Sequence, residues 1–200
     1  MVSVSIKGRG GSTEVTQDEQ PFTADLSKIS TLKPAFREGG TVTPANSSSI
    51  SDGAAALVLM RQSQAARRGL KPLAKVMGVA SLAQAPALFT TAPIAAIKAL
   101  LGSVGWSTAD VGLYEINEAF AVVSMAAMRD LALPADRVNV HGGACALGHP
   151  IGASGARILV TLLAAMHKYG QNKGIAALCI GGGEATAVAV EAVASASRAA

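Results

Sequence analysis

The spacing of apolar and polar positions changes character about one third of the way along the chain. Residues 2–6 alternate, which predicts a short strand, and the glycines at 8, 10 and 11 predict a turn after it. From 13 to 40 the sequence is polar and irregular, with one short helix expected near 25–29. Asn46 and the serines at 47–49 mark a turn that leads through Asp52 and Gly53 into the apolar run 54–60, expected to be a fully buried strand. Residues 63–68 predict a helical turn stopped by Gly69. From Pro72 onward, strand-length and helix-length segments alternate. Strands are expected at 73–80, 111–116 and 138–140, and helices at 93–101, with proline in the first turn, and at 118–130. A long apolar helix at 154–169 is ended by Gly170, and strands at 175–180 and 185–193 are joined through three glycines as a hairpin. Alternation with buried strands predicts a layered α/β fold.

Composition narrows the class. Two hundred residues, half of them apolar, suffice for one large or two small domains with a real core. Charged residues at 15% and aromatics at 4% suit a closely packed α/β protein and exclude a disordered chain. The net charge of +4 is mild, and no Lys/Arg run or basic-aromatic alternation is present, so no nucleic-acid partner is expected. Two cysteines make no disulfide framework, and free thiols point to a reducing, cytoplasmic compartment. The first residues carry no apolar h-region and the chain has no unbroken apolar run of about 18 residues, so neither a signal peptide nor a membrane span is expected.

Three polar sites interrupt the apolar pattern at strand ends, where ligands collect in open α/β sheets. They are Asn117-Glu118-Ala119-Phe120, Gly148-His149-Pro150 inside a glycine-rich loop, and Cys179 before Gly181-Gly182-Gly183. Singly, each has a plainer use: Asn117 as a helix N-cap, His149 as a structural or solvated side chain, and Cys179 as a small buried residue. Cys145, beside Ala-Leu-Gly, reads as packing, and His141 and His167 as incidental. Together, Asn, His and Cys at three strand ends describe one site divided among loops.

The stretches N-E-A-F-A (residues 117–121), G-G-A-C-A-L-G-H-P-I-G-A-S-G-A-R (142–157) and C-I-G-G-G (179–183) strongly resemble the thiolases, and among them most the acetyl-CoA C-acetyltransferases. L-K-P-A-F-R (32–37) and residues 41–60 extend the resemblance over almost the whole chain. It implies the layered αβαβα thiolase fold and a Claisen condensation of two acetyl-CoA to acetoacetyl-CoA and CoA, or the reverse thiolysis. His149 would activate the acylated cysteine and support the thioester oxyanion, and Asn117 would orient a water in the same oxyanion hole. Cys179 would move the proton to and from the acetyl-CoA methyl carbon, and the Gly181 N–H would belong to the second oxyanion hole. Ser48 matches a serine near the CoA pantetheine, while Phe89 and Phe120 would line a pocket for a short acyl group or simply pack the core. Ketoacyl synthases carry histidine where this chain has Cys179 and lack N-E-A-F, which favours non-decarboxylative chemistry. No metal or cofactor is implied beyond the CoA thioester substrate.

The chemistry is reasonable in itself. A thioester α-carbon is a weak acid whose enolate needs aimed hydrogen-bond donors, and a cysteine can serve as base when its surroundings bring its pKa towards working pH.

The resemblance also sets expectations about what the chain lacks. The family's nucleophilic cysteine belongs to its N-terminal half, and neither Cys145 nor Cys179 occupies that motif. Residues 1–51 would be the end of the CoA-covering loop domain, 52–71 a return segment to the N-terminal domain, and 72–200 the C-terminal domain. The expected partners are CoA thioesters, a complementary N-terminal thiolase segment, and further copies in a dimer or tetramer. The chain alone would be inactive. The alternative is a non-catalytic CoA-binding or assembly fragment.

Overall fold

A four-stranded mixed sheet organises the chain, and the computed structural model describes residues 2–193. Ahead of it, β1 (Val4–Gly8) and β2 (Gly11–Val15) form an exposed antiparallel hairpin. The expected strand at 2–6 is therefore present, and its partner lies in the stretch expected to be irregular. Short helices α1 (Gln20–Thr23) and α2 (Gln62–Arg67) flank extended chain. The helix expected near 25–29 is a 3₁₀ turn over Leu26–Thr31, capped by the Asp25 carboxylate accepting from the Ser27 N–H.

The main sheet runs β3 (Ala74–Ala83), β6 (Glu184–Ala192), β5 (Lys173–Ile180), β4 (Leu113–Ile116). β4 pairs parallel with β5, and the other neighbours are antiparallel. Alternation along β5 sends Ile175, Ala177 and Cys179 to one face, and Ala176 to the other. On the first face pack α3 (Ala92–Val104) and α4 (Ala121–Leu131), which bury Ile97, Leu100, Val123 and Ala127. On the second packs α6 (Ser154–Tyr169), through Ile158, Leu162 and Met166. One-turn α5 (Ala144–Leu147) precedes His149. The stretch Pro86–Val104 is long and apolar enough to cross a membrane, but its Ile97 and Leu100 are fully buried in the first core.

Three expected elements differ. Residues 54–60 form no strand; Val58 is 87% exposed and, among the described residues, no strand pairs with the run. An apolar run of that length becomes a strand only beside a partner ladder. Residues 138–140 make one bridge to Tyr114 instead of a strand. There Asn139 turns to φ 50°, and its side chain takes over the edge of β4: Oδ1 accepts from the Ile116 N–H at 2.8 Å and Nδ2 donates to the Ile116 carbonyl at 2.9 Å. Finally, α4 starts at Ala121, not 118: the chain bends at Ala119, and Phe120 is extended and bridged to Ser47.

The expected hairpin at 181–183 is present, with Ile180 paired to Glu184. Gly183 adopts φ 91°, and a side chain there would collide with the Gln84 carbonyl oxygen and Pro86. Gly183→Ala is accordingly expected to destabilise the chain by about 1–3 kcal/mol. Denaturant midpoints measure this, and an unchanged midpoint would refute the account of the turn.

Candidate active site

The parallel ladder ends with the Asn117 N–H donating to the Ala177 carbonyl at 2.9 Å. This places the C-terminal end of β4 beside β5 two residues before Cys179. Asn117 is 1% exposed and caps nothing; the residue before α4 is Phe120, in extended conformation, with no side-chain cap. A seam from the leading half of the chain holds this geometry. Ser47 bridges Phe120, and Ser48 donates both its N–H and its hydroxyl to the Ala119 carbonyl. Next to it Ile50 bridges His149, whose N–H donates to the Ser49 carbonyl at 3.0 Å. Gly148 makes this approach possible, since at φ 86° its missing Cβ leaves room for Ser51.

Within the site, Asn117 and His149 meet. The Asn117 amide nitrogen lies 3.3 Å from His149 Nε2, and His149 Nδ1 lies 2.5 Å from the hydroxyl of Ser154, the first residue of α6. Ser154 donates in turn to the Pro150 carbonyl at 3.0 Å. On the other side Arg157 Nη2 donates to Asn117 Oδ1 at 3.4 Å. Burial, and secondarily the Arg157 charge, lower the His149 pKa, so its imidazole is neutral near pH 7.

Two carboxylates stand behind this row. Glu115 is 2% exposed within β4 and lies 3.6 Å from Arg157 Nη1. Burial raises its pKa to about 7; Arg157 pulls the other way and the Glu118 charge adds to the rise. Glu118 occupies the space a side chain at Gly143 would need. It accepts from Asn139 Nδ2 at 3.1 Å, from the Cys145 N–H at 3.2 Å and from the Ser124 hydroxyl at 3.5 Å, which ties the Asn139 loop, α5 and the first turn of α4 to the turn after β4. Burial and Glu118 push the Cys145 thiol up to about 12, so this cysteine is inert packing, as its sequence context suggests.

Cys179 is buried at the end of β5, and burial raises its pKa. The direction is opposite to that of a resting thiolate: Cys179 is held as a thiol, a proton donor until something removes its proton. Gly181 is exposed and its surroundings are open. Phe89 packs against the core face that carries Cys179, and its ring meets Phe120 edge-on at 6.3 Å; Phe36 also meets Phe120 edge-on, at 6.0 Å. Ser48 is engaged with the Ala119 carbonyl and acts as a strut in this arrangement.

The residues that sequence reasoning passed over are Glu115, Glu118, Asn139, Ser154 and Arg157. A signal for two of them was present: one acid in the four-residue buried strand and one base near the start of an apolar helix are expected to seek each other. The rest take their roles from loops folded together. Because the folded chain binds the Glu115 proton more tightly than the unfolded one, this group favours folding below the ordinary glutamate range, and the contribution is lost as pH rises to about 7. Glu115→Gln is expected to flatten the fall in stability between 4.5 and about 7. Urea midpoints across that range test this; an unaltered slope would mean that Glu115 titrates normally.

Comparison with known proteins identifies the family. The family described as "Thiolase, C-terminal domain" matches residues 70–192, and "Thiolase, N-terminal domain" matches residues 1–63. Over 96% of its length the chain is 50% identical to a cytosolic acetyl-CoA acetyltransferase of Mus musculus, covering 49% of that protein. It is 48% identical to an acetyl-CoA acetyltransferase of Rhizobium meliloti, with the same coverage of both. Among solved structures, a Bacillus anthracis acetyl-CoA acetyltransferase superposes with a TM-score of 0.92 at 43% identity, and human mitochondrial 3-ketoacyl-CoA thiolase with 0.87 at 33%. Each of these alignments covers 96% of this chain and 49% of the other. The chain thus spans about half the length of the relatives it matches. By these matches over both of its regions, the chain belongs to the thiolase family.

Proposed function

We propose that this chain supplies the acid-base half of an acetyl-CoA acetyltransferase site, which joins two acetyl-CoA molecules or cleaves acetoacetyl-CoA with CoA. The observation that carries the reading is the contact of Asn117 with His149 at the end of β4, beside Cys179 at the end of β5. The acylated cysteine comes from thiolase N-terminal sequence outside these 200 residues. In condensation its thiol loses a proton to the neutral His149 and attacks the acetyl-CoA carbonyl. The carbon–sulfur bond to CoA then breaks, and CoA leaves as the thiol by taking the Cys179 proton, while His149 keeps the proton of the nucleophile. A second acetyl-CoA loses a methyl proton to the Cys179 thiolate so formed. The resulting enolate carbon bonds to the acyl carbon, and the nucleophile leaves as a thiolate that His149 reprotonates. The developing oxyanions need fixed donors, for which Asn117 with His149 and the Gly181 N–H are suited. Ser48, Phe89 and Phe120 flank the approach: Ser48 shapes the Asn117 loop and the two rings limit acyl length.

Exposed apolar surface supports a complementary partner segment. Val58 and Leu59 in the extended run, Val76 and Val79 on β3, and Val160 on α6 stand in solvent. We propose that the N-terminal thiolase segment covers them, and that the complete enzyme is a dimer or tetramer. Residues 1–51 then belong to the loop domain over the CoA, and 72–200 to the C-terminal domain.

Assembly of the chain with a thiolase N-terminal segment bearing the nucleophile is expected to give thiolysis of acetoacetyl-CoA, with the chain alone inactive. Cys179→Ala or His149→Ala in the complex should lower kcat by ~100-fold or more. Full activity of either variant in a folded complex would overturn the assignment.

A further inference from the structure

The side chains from Arg157 to Pro150 form one continuous row: Arg157 Nη2, Asn117, His149, the Ser154 hydroxyl and the Pro150 carbonyl, linked at 3.4, 3.3, 2.5 and 3.0 Å. The three central members are ambivalent. An amide presents either its oxygen or its NH₂, a neutral imidazole carries its proton on either nitrogen, and a hydroxyl both donates and accepts. The two ends are not. A guanidinium only donates and a backbone carbonyl only accepts. With both ends fixed, the row has a single consistent direction. Arg157 requires the Asn117 oxygen, so the Asn117 NH₂ must face His149 Nε2, which accepts. The imidazole proton is then on Nδ1 and is donated to Ser154, which passes its own proton towards Pro150.

We propose that Arg157 is the positioning residue that fixes the Asn117 end of this row and so, together with the Pro150 carbonyl at the other end, holds His149 as the Nδ1–H tautomer, with Nε2 as the base. The inference rests on the proposed role of His149 and adds a reason why its reactive nitrogen is the one facing Asn117. Asn117 and Ser154, on either side of His149 in the row, are almost wholly buried, so their partners are the ones the fold supplies. Arg157 is held over Asn117 by charge rather than by close pairing. Glu115 lies 3.6 Å from its Nη1, and Glu118 and Asp18 add negative potential. Its buried Nε and Nη1 have no hydrogen-bond partner among the described residues, so its one buried donor contact is to Asn117. That arrangement suits an orienting dipole on the amide better than a structural ion pair, which would use the guanidinium fork on the carboxylate.

Long-range ¹H–¹⁵N NMR of the imidazoles in the 200-residue chain tests this without substrate or partner. Above the His149 pKa, the wild-type chain is expected to show Nδ1 at a protonated-nitrogen shift and Nε2 at a bare-nitrogen shift. Arg157→Lys keeps a donor-only end and should retain that pattern. Arg157→Gln offers an ambivalent amide and should bring the two shifts together as the Nε2–H form appears. A wild-type chain with the proton on Nε2 overturns the proposal whatever the variants do, as does a folded Arg157→Gln chain with unchanged shifts. Because the readout is independent of thiolysis, its failure leaves the proposed reaction standing, and loss of the proposed reaction leaves the tautomer result intact.

Discussion

The parallel register of β4 on β5 is the constraint on which the site depends. With Ile116 opposite Ala177, and the Asn117 N–H closing the ladder on the Ala177 carbonyl, two strands finish at the same edge, one on an amide and the other on a thiol. Parallel strands require covered faces, and both are supplied: α3 and α4 on one side, α6 on the other. α6 has two duties. Its middle turns bury Ile158 and Leu162 against the sheet, while its first turn delivers Ser154 and Arg157 to the site. Core packing and site alignment are therefore properties of one rigid helix, with side chains four residues apart on a common face.

Buried charge is the expensive part of this design. Glu115 and Arg157 sit too far apart for a good hydrogen bond, and each leaves buried polar atoms unpartnered. Such a pair contributes little to stability and is easily bettered by apolar side chains of like size. What the pair does place is a fixed charge beside the site, with Arg157 donating to Asn117 Oδ1 and its charge lowering the His149 pKa. Glu118, by contrast, is well satisfied by Asn139, Cys145 and Ser124, and it joins a loop and two helices around the turn after β4.

Much of the architecture was legible in the sequence because it follows from local period and punctuation. The helix ending at Gly170, the strand ending at Cys179 and the glycine hairpin after it depend on neighbours in sequence. Asn117 and Cys179 stand out in the sequence because each breaks an apolar pattern at the end of a strand, and His149 because it interrupts the glycine-rich stretch between α5 and α6. What failed depended on partners. Residues 54–60 have strand composition but no ladder, and 138–140 lose theirs to one asparagine side chain doing the work of a neighbouring strand. The start of α4 is displaced because a serine seam, more than seventy residues away in sequence, pulls Ala119 and Phe120 out of the helix. No local propensity encodes such a pull. The direction of the Cys179 shift was likewise invisible, since it is set by the depth of burial alone.

That seam has a consequence for how the site comes into being. Residues 47–50 fall within the stretch that matches the thiolase N-terminal domain, yet they hold the Asn117 and His149 loops of the C-terminal one. Docking of the leading region and alignment of the two loops are therefore one and the same set of contacts: displacing residues 47–50 would break the Ser48–Ala119 and His149–Ser49 hydrogen bonds together.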